Sequence, residues 1–180
     1  MIAFLFKFIR SYLHNEEGVA AVEAALTLPV LMVLMAGVYD VGQAIVINQK
    51  TVVAAQIVGD LIARSQIVDT ADLEDIVTAG ALAIEPYDST ALGYDIVSVS
   101  FDDDGTATAL WRVTEGMGQN QEALTKAEEV AEAGEGVIVV TTSFNYTPAF
   151  SHYFLNDINL SEVALLRGRR SAVINCSDCS

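Results

Sequence analysis

The chain has 180 residues, enough for one ordinary domain with additional segments. Apolar residues make up 52% and the mean hydropathy is +0.40, with the excess in the first third. A formal net charge of −15 repels phosphate backbones and argues against nucleic acid as a partner, and two cysteines are too few for a disulfide-built scaffold.

From Ala24 to Tyr39 no residue is charged, and apart from Asp40 the apolar character continues to Ile47. About 20 helical residues cross roughly 30 Å of hydrocarbon, so residues 19–47 read as a membrane-spanning helix. Pro29 removes one helical hydrogen bond, which membrane helices tolerate. Lys7 and Arg10 precede the segment and only Lys50 closely follows it. The positive-inside rule therefore favours a cytoplasmic N-terminus, with everything beyond about residue 48 outside. A secreted domain cut at the small-residue site Gly42-Gln43-Ala44 is an alternative. Against it, the leader before the apolar run is long and carries Glu16, Glu17 and Glu23.

At the mouth of the run stand Gly18, Val19-Ala20-Ala21-Val22 and Glu23. A glycine lets a protease approach an extended backbone closely. A cut after Gly18 creates an ammonium at Val19, which lies at i,i+4 from Glu23 on one helix face and can neutralise that carboxylate. An unpaired carboxylate well inside hydrocarbon would cost on the order of 3 kcal/mol. The simpler account of Glu23 is a helix-start acid favoured by the dipole.

The run "NEEGVAAVEAALTLPVLMVLMAGVYDVGQAI" resembles the TadE-like family, pseudopilins of Tad (Flp) pilus assembly. The resemblance rests on the glycine, the Ala-Val-Glu, the following Ala-Leu and Pro, and Gly37 and Asp40 toward the helix end. Ala24 stands where such proteins often carry an aromatic residue. The resemblance implies a leader of residues 1–18 removed by a prepilin peptidase after Gly18. It also implies a single-pass anchor in the inner membrane, a periplasmic head, and partners among the pilus platform, other pilins and pseudopilins. An uncleaved envelope protein with a ligand-binding or scaffold head is the remaining alternative.

Beyond the anchor, the helix can continue as a stalk over 48–68, where Val46, Val53, Ile57 and Leu61 recur near helical spacing and Asp60 pairs with Arg64. If unbroken from Val19 to Ser65 it would run roughly 70 Å. A second helix follows, capped by Thr70, with Leu73, Ile76, Val77 and Ile84 inward and Pro86 beyond its end. "YDIVSVSF" and "TATALWRVT" flank Asp104-Gly105 and form a hairpin. "NQEALTKAEEVAEAG" reads as a surface helix with Leu124, Ala127 and Val130 inward, ended by Gly134. "VIVVTTSFNYT" is a strand with Ile138, Val140, Thr142, Phe144 and Tyr146 on one face. "INLSEVALLR" closes a four-stranded antiparallel meander. The fold class is α+β, with a head over 69–180.

No enzyme chemistry emerges from the remaining motifs. "DDDG" at 102–105 lacks calcium-loop spacing and reads as an acidic turn. His14 and His152 are the only histidines, one in the leader and the other in a loop, and with no His/Cys/carboxylate cluster of zinc-site spacing no metal or cofactor is expected. Cys176 and Cys179 form a C-x-x-C in the tail, suited to a local disulfide outside the cytoplasm. Arg167, Arg169 and Arg170 make a basic patch, either a strand end with local salt bridges or a docking site for an acidic partner. Trp111, in mid-strand, belongs to the core.

Overall fold

The structure is a computed structural model and describes residues 16–130, 132–150 and 156–179. Lys7 and Arg10 of the leader, His14 and His152 lie outside the described residues. One helix, α1, runs unbroken over Glu16–Ala63, 48 residues through Pro29, or about 72 Å at 1.5 Å per residue. A short strand β1 (Ile67–Val68) leads to α2 (Thr70–Ala81) and two single 3₁₀ turns. The rest of the head comprises β2 (Leu92–Phe101), β3 (Ala107–Glu115), α3 (Ala123–Glu128), β4 (Gly136–Tyr146), β5 (Ile158–Arg167) and β6 (Asn175–Cys176). The architecture is α+β, a long apolar helix followed by a head built on a four-stranded antiparallel sheet.

The sheet order is β3-β2-β4-β5, so it is not a simple meander. β4 joins β2 because the hairpin leaves that edge of β2 open, and the chain between β3 and β4 is needed across the sheet face. There α3 covers Val97, Val99 and Phe101 with Ala123 and Ala127. The central strands β2 and β4 are buried on both faces, whereas the edge strands β3 and β5 are half-exposed. This is why "VIVVTTSF" is apolar or β-branched at nearly every position rather than alternating.

On the other face, Ile96, Ile138 and Val140 meet Ala55, Val58 and Ile62 of α1. The second half of α1 is therefore the spine of the head's core and not a free-standing stalk. Its buried stripe is Ile47, Thr51, Ala54, Ala55, Val58 and Ile62, while Val46 and Val53 are exposed. The stripe lies one residue round from Val46, Val53, Ile57 and Leu61, and its small members Ala54 and Ala55 let the sheet and α2 approach. Gly80 of α2 illustrates this: a Cβ there would come within 2.5 Å of Val58 Cγ2.

Other local expectations shift for identifiable reasons. Asp69, not Thr70, caps α2, accepting from the Asp72 N–H at 2.7 Å. Thr70 is otherwise engaged, donating from its N–H and its hydroxyl to Asp178 at 2.9 and 2.8 Å. α3 ends at Glu128, so Val130 falls outside its inward face and is exposed; Gly134, at φ +79°, serves the turn into β4. In the 102–105 turn, Asp102 accepts from the N–H groups of Asp104 and Thr106 at 3.0 and 2.7 Å, and Gly105 supplies φ +79°.

The C-terminal segment is no loose tail. β6 pairs in parallel with β1, Ser177 N–H donates to Val68 O at 3.0 Å, and Ile174 is core. Trp111 Nε1 and Ser98 Oγ both donate to Ile174 O, at 2.8 and 2.9 Å. Cys176 and Cys179 are bonded to each other and pack against the same core.

Candidate functional site

The candidate site is the exposed half of α1 together with the point where it joins the head. Gly18, Val19 and Glu23 lie in the first turns of α1, with Val19 and Glu23 one turn apart on a single face. Thr27 Oγ1 donates to Glu23 O at 2.8 Å, so that hydroxyl is satisfied within the helix. Below Tyr39 the helix touches little of the head: the most apolar window is 0% buried, and Leu26 and Met35 are 70% and 72% exposed. By length and composition this helix can cross a membrane. An apolar surface of this extent is not sustained in water alone.

The junction is built around Asp40, which is 4% exposed. Its carboxylate accepts from the Ala149 N–H at 3.0 Å and the Phe150 N–H at 3.1 Å. Tyr146 donates its hydroxyl to Asp40 O at 3.3 Å, and burial, with the Asp40 charge beside it, pushes the Tyr146 pKa up. Tyr39 and Phe150 meet edge to face with ring centroids 5.5 Å apart. Higher up, Tyr87 donates to Gln43 Oε1 at 2.5 Å, Asn48 Nδ2 to Glu162 Oε1 at 2.8 Å, and Lys50 to Glu85 O at 2.6 Å. The helix is thus clamped to the head from residue 40 upward.

The three arginines at and just after the end of β5 do not form one patch. Arg167 bonds Glu135 at 2.9 Å and Val130 O at 2.5 Å on the α3 side. Arg169 pairs with Asp60, which also holds Arg64, and Arg170 joins them around one shallow depression. β5 ends at Arg167 and the chain bends at 169–170, which separates Arg167 from the other two, and Arg64 joins Arg169 from 105 positions away, a proximity that sequence spacing does not reveal.

Sequence reasoning also missed a buried ion pair. Asp95 has no exposed surface and accepts from Arg112 Nε and Nη2 at 2.8 and 2.6 Å, Thr114 Oγ1 at 2.6 Å, and the Asn120 N–H at 2.9 Å. The available signal was one acid and one arginine at interior positions of the two strands of the hairpin.

Residues 18–59 match the family model of TadE-like proteins. This match associates the N-terminal helix with Tad pilus proteins and opens at Gly18, the first residue of the motif. No curated protein and no solved structure matches the chain.

Proposed function

We propose that the protein is a structural pseudopilin of a Tad pilus apparatus, anchored by α1 and cut after Gly18 by a prepilin peptidase. The observation that carries this reading is that the TadE-like match begins at the residue after which the cut would fall and covers the whole exposed apolar helix. Gly18 lies in the first turn of α1, where a poor helix former lowers the cost of unwinding the chain into a protease. The cut leaves the Val19 ammonium one turn from Glu23. Charges flanking the anchor support a cytoplasmic N-terminus in the inner membrane. The Cys176–Cys179 bond supports a head in an oxidising compartment, the periplasm. The head then meets the pilus platform and other pilins. Release of a soluble domain after Ala44 is disfavoured, since Gln43 and Ala44 pack on the head and the cut would discard Asp40.

The test is the intact mass of the protein isolated from membranes of the producing strain, together with that of Gly18→Leu. The expected mature chain begins at Val19, and Gly18→Leu stays full length and membrane-bound. A native chain starting at Met1 would leave an uncleaved anchor, and one starting at Ile45 a secreted domain.

A further inference from the structure

The charge-free stretch from Ala24 to Tyr39 rises only about 24 Å, whereas bilayer hydrocarbon is about 30 Å thick. A helix entering lipid at Ala24 is still at hydrocarbon depth near residue 43, so Asp40 falls inside the boundary layer. A carboxylate there requires partners from protein. The head supplies them, reaching down to give Asp40 the N–H groups of Ala149 and Phe150 at 3.0 and 3.1 Å. In doing so it carries Phe150, 56% exposed, to the level of Tyr39, 50% exposed. Directly beside this aromatic pair lies an open apolar hollow lined by Met32, Val33, Met35 and Ala36 together with the two rings. Among the described residues, none that lines it is charged.

Resting on the membrane-anchor reading, we infer that the segment from Pro148 to Phe150 is a membrane-contacting element of the head. Phe150 and Tyr39 lie in the headgroup–acyl boundary, and lipid chains fill the hollow beside them. The head is then seated on the bilayer rather than held away from it. Two observations favour lipid over a protein partner. The exposed apolar surface at the level of the hollow includes the consecutive residues Leu31, Met32, Val33, Leu34 and Met35, which at about 100° per residue face every side of α1. A partner helix needs a stripe, whereas lipid wets every side that the head leaves open. The hollow is also continuous with the uncovered apolar helix beneath it, and paired aromatics at its upper rim suit the interface, where amphipathic rings collect.

The test uses full-length protein in two sets of phosphatidylcholine vesicles, one with acyl chains brominated near the carbonyl end, to report on Phe150→Trp, and one with chains brominated near the methyl end, to report on Val33→Trp. Trp111, the single native tryptophan, is buried in the head and gives a constant background. Phe150→Trp and, separately, Val33→Trp add one reporter each, and their added emission is challenged with bromolipid and with aqueous iodide. The expected result is that the Phe150→Trp reporter loses most of its emission to bromolipid and little to iodide. If Val33→Trp is quenched by lipid while Phe150→Trp responds to iodide alone, the anchor stands and the seated head is wrong. A Phe150→Trp reporter shielded from both quenchers would mean that protein covers the site, and overturns the inference in favour of a partner subunit. If Val33→Trp ignores the bromolipid labelled near the methyl end as well as the one labelled near the carbonyl end, the anchor reading itself fails.

Discussion

Replacing Asp95 by alanine tests how the head is held together. The substitution removes both Arg112 contacts, the Thr114 hydroxyl bond and the acceptor of the Asn120 N–H. Removing one partner of a buried pair costs about 3–5 kcal/mol, because the other charge remains without compensation. Here the lower figure applies: the Arg112 side chain is 20% exposed and keeps its bond to Asn120 O, so it rehydrates in part. At about 2–4 °C per kcal/mol for a chain of this size, a loss of about 3 kcal/mol lowers Tm by roughly 6–12 °C. The assay is thermal unfolding of the full chain in detergent, followed by Trp111 fluorescence. The double change Asp95→Leu with Arg112→Met removes both charges and should recover most of the loss. The pH dependence has a definite sign. Burial alone would raise the Asp95 carboxyl, but the Arg112, Thr114 and Asn120 bonds outweigh it and hold it below the ordinary value. A depressed carboxylate stabilises the fold above its unfolded pKa of about 3.9, and that contribution is lost as pH falls through the folded value. The gap between wild type and Asp95→Ala should therefore be full at neutral pH and shrink in acid. A Tm for Asp95→Ala within about 2 °C of wild type at neutral pH would refute the reasoning.

Glu23→Gln keeps side-chain shape but removes the charge that, in the proposed mature chain, would pair with the Val19 ammonium. It should still be cut and inserted yet fail to support pilus production, with Glu23→Asp intermediate. Mature N-terminal mass and surface pilin yield decide it, and a normal yield from the Gln variant reduces Glu23 to a helix-start acid. Cys176→Ser with Cys179→Ser should lower head stability by about 1–2 kcal/mol, since so short a loop constrains little of the unfolded chain while its bridge caps β6 against β1. Denaturant unfolding with and without reductant measures this, and rapid alkylation of both thiols in intact spheroplasts would contradict the bridge itself.

Much of the molecule is legible from local pattern. The uncharged run before Asp40, the glycine and acid at its mouth, the Asp104-Gly105 hairpin and the Ile138-to-Tyr146 face of β4 depend on residues close in sequence, and the structure bears out the helix, hairpin and strand. The same patterns misplace what depends on distant partners. Val46 and Val53 have the helical spacing of a core face, yet Ala54, Ala55 and Val58 are buried, because the sheet and Gly80 of α2 pack on that side of the helix. "CSDC" has the composition of a tail, yet Asp178 binds Thr70 and β6 pairs with β1.

By itself the sequence determined that this chain carries a long apolar helix and that an α+β head follows. Hydrophobic period, turn residues and charge-free length are local quantities, and each is written in consecutive positions. Only the tertiary structure decided that α1 is the spine of the head, that Asp40 is satisfied by a loop 109 positions later, and that Arg64 joins Arg169 around Asp60. These pairings join residues on separate elements, and their stability comes from desolvation and hydrogen bonds that exist only once the sheet has closed over the helix. No window of neighbouring residues contains that free energy.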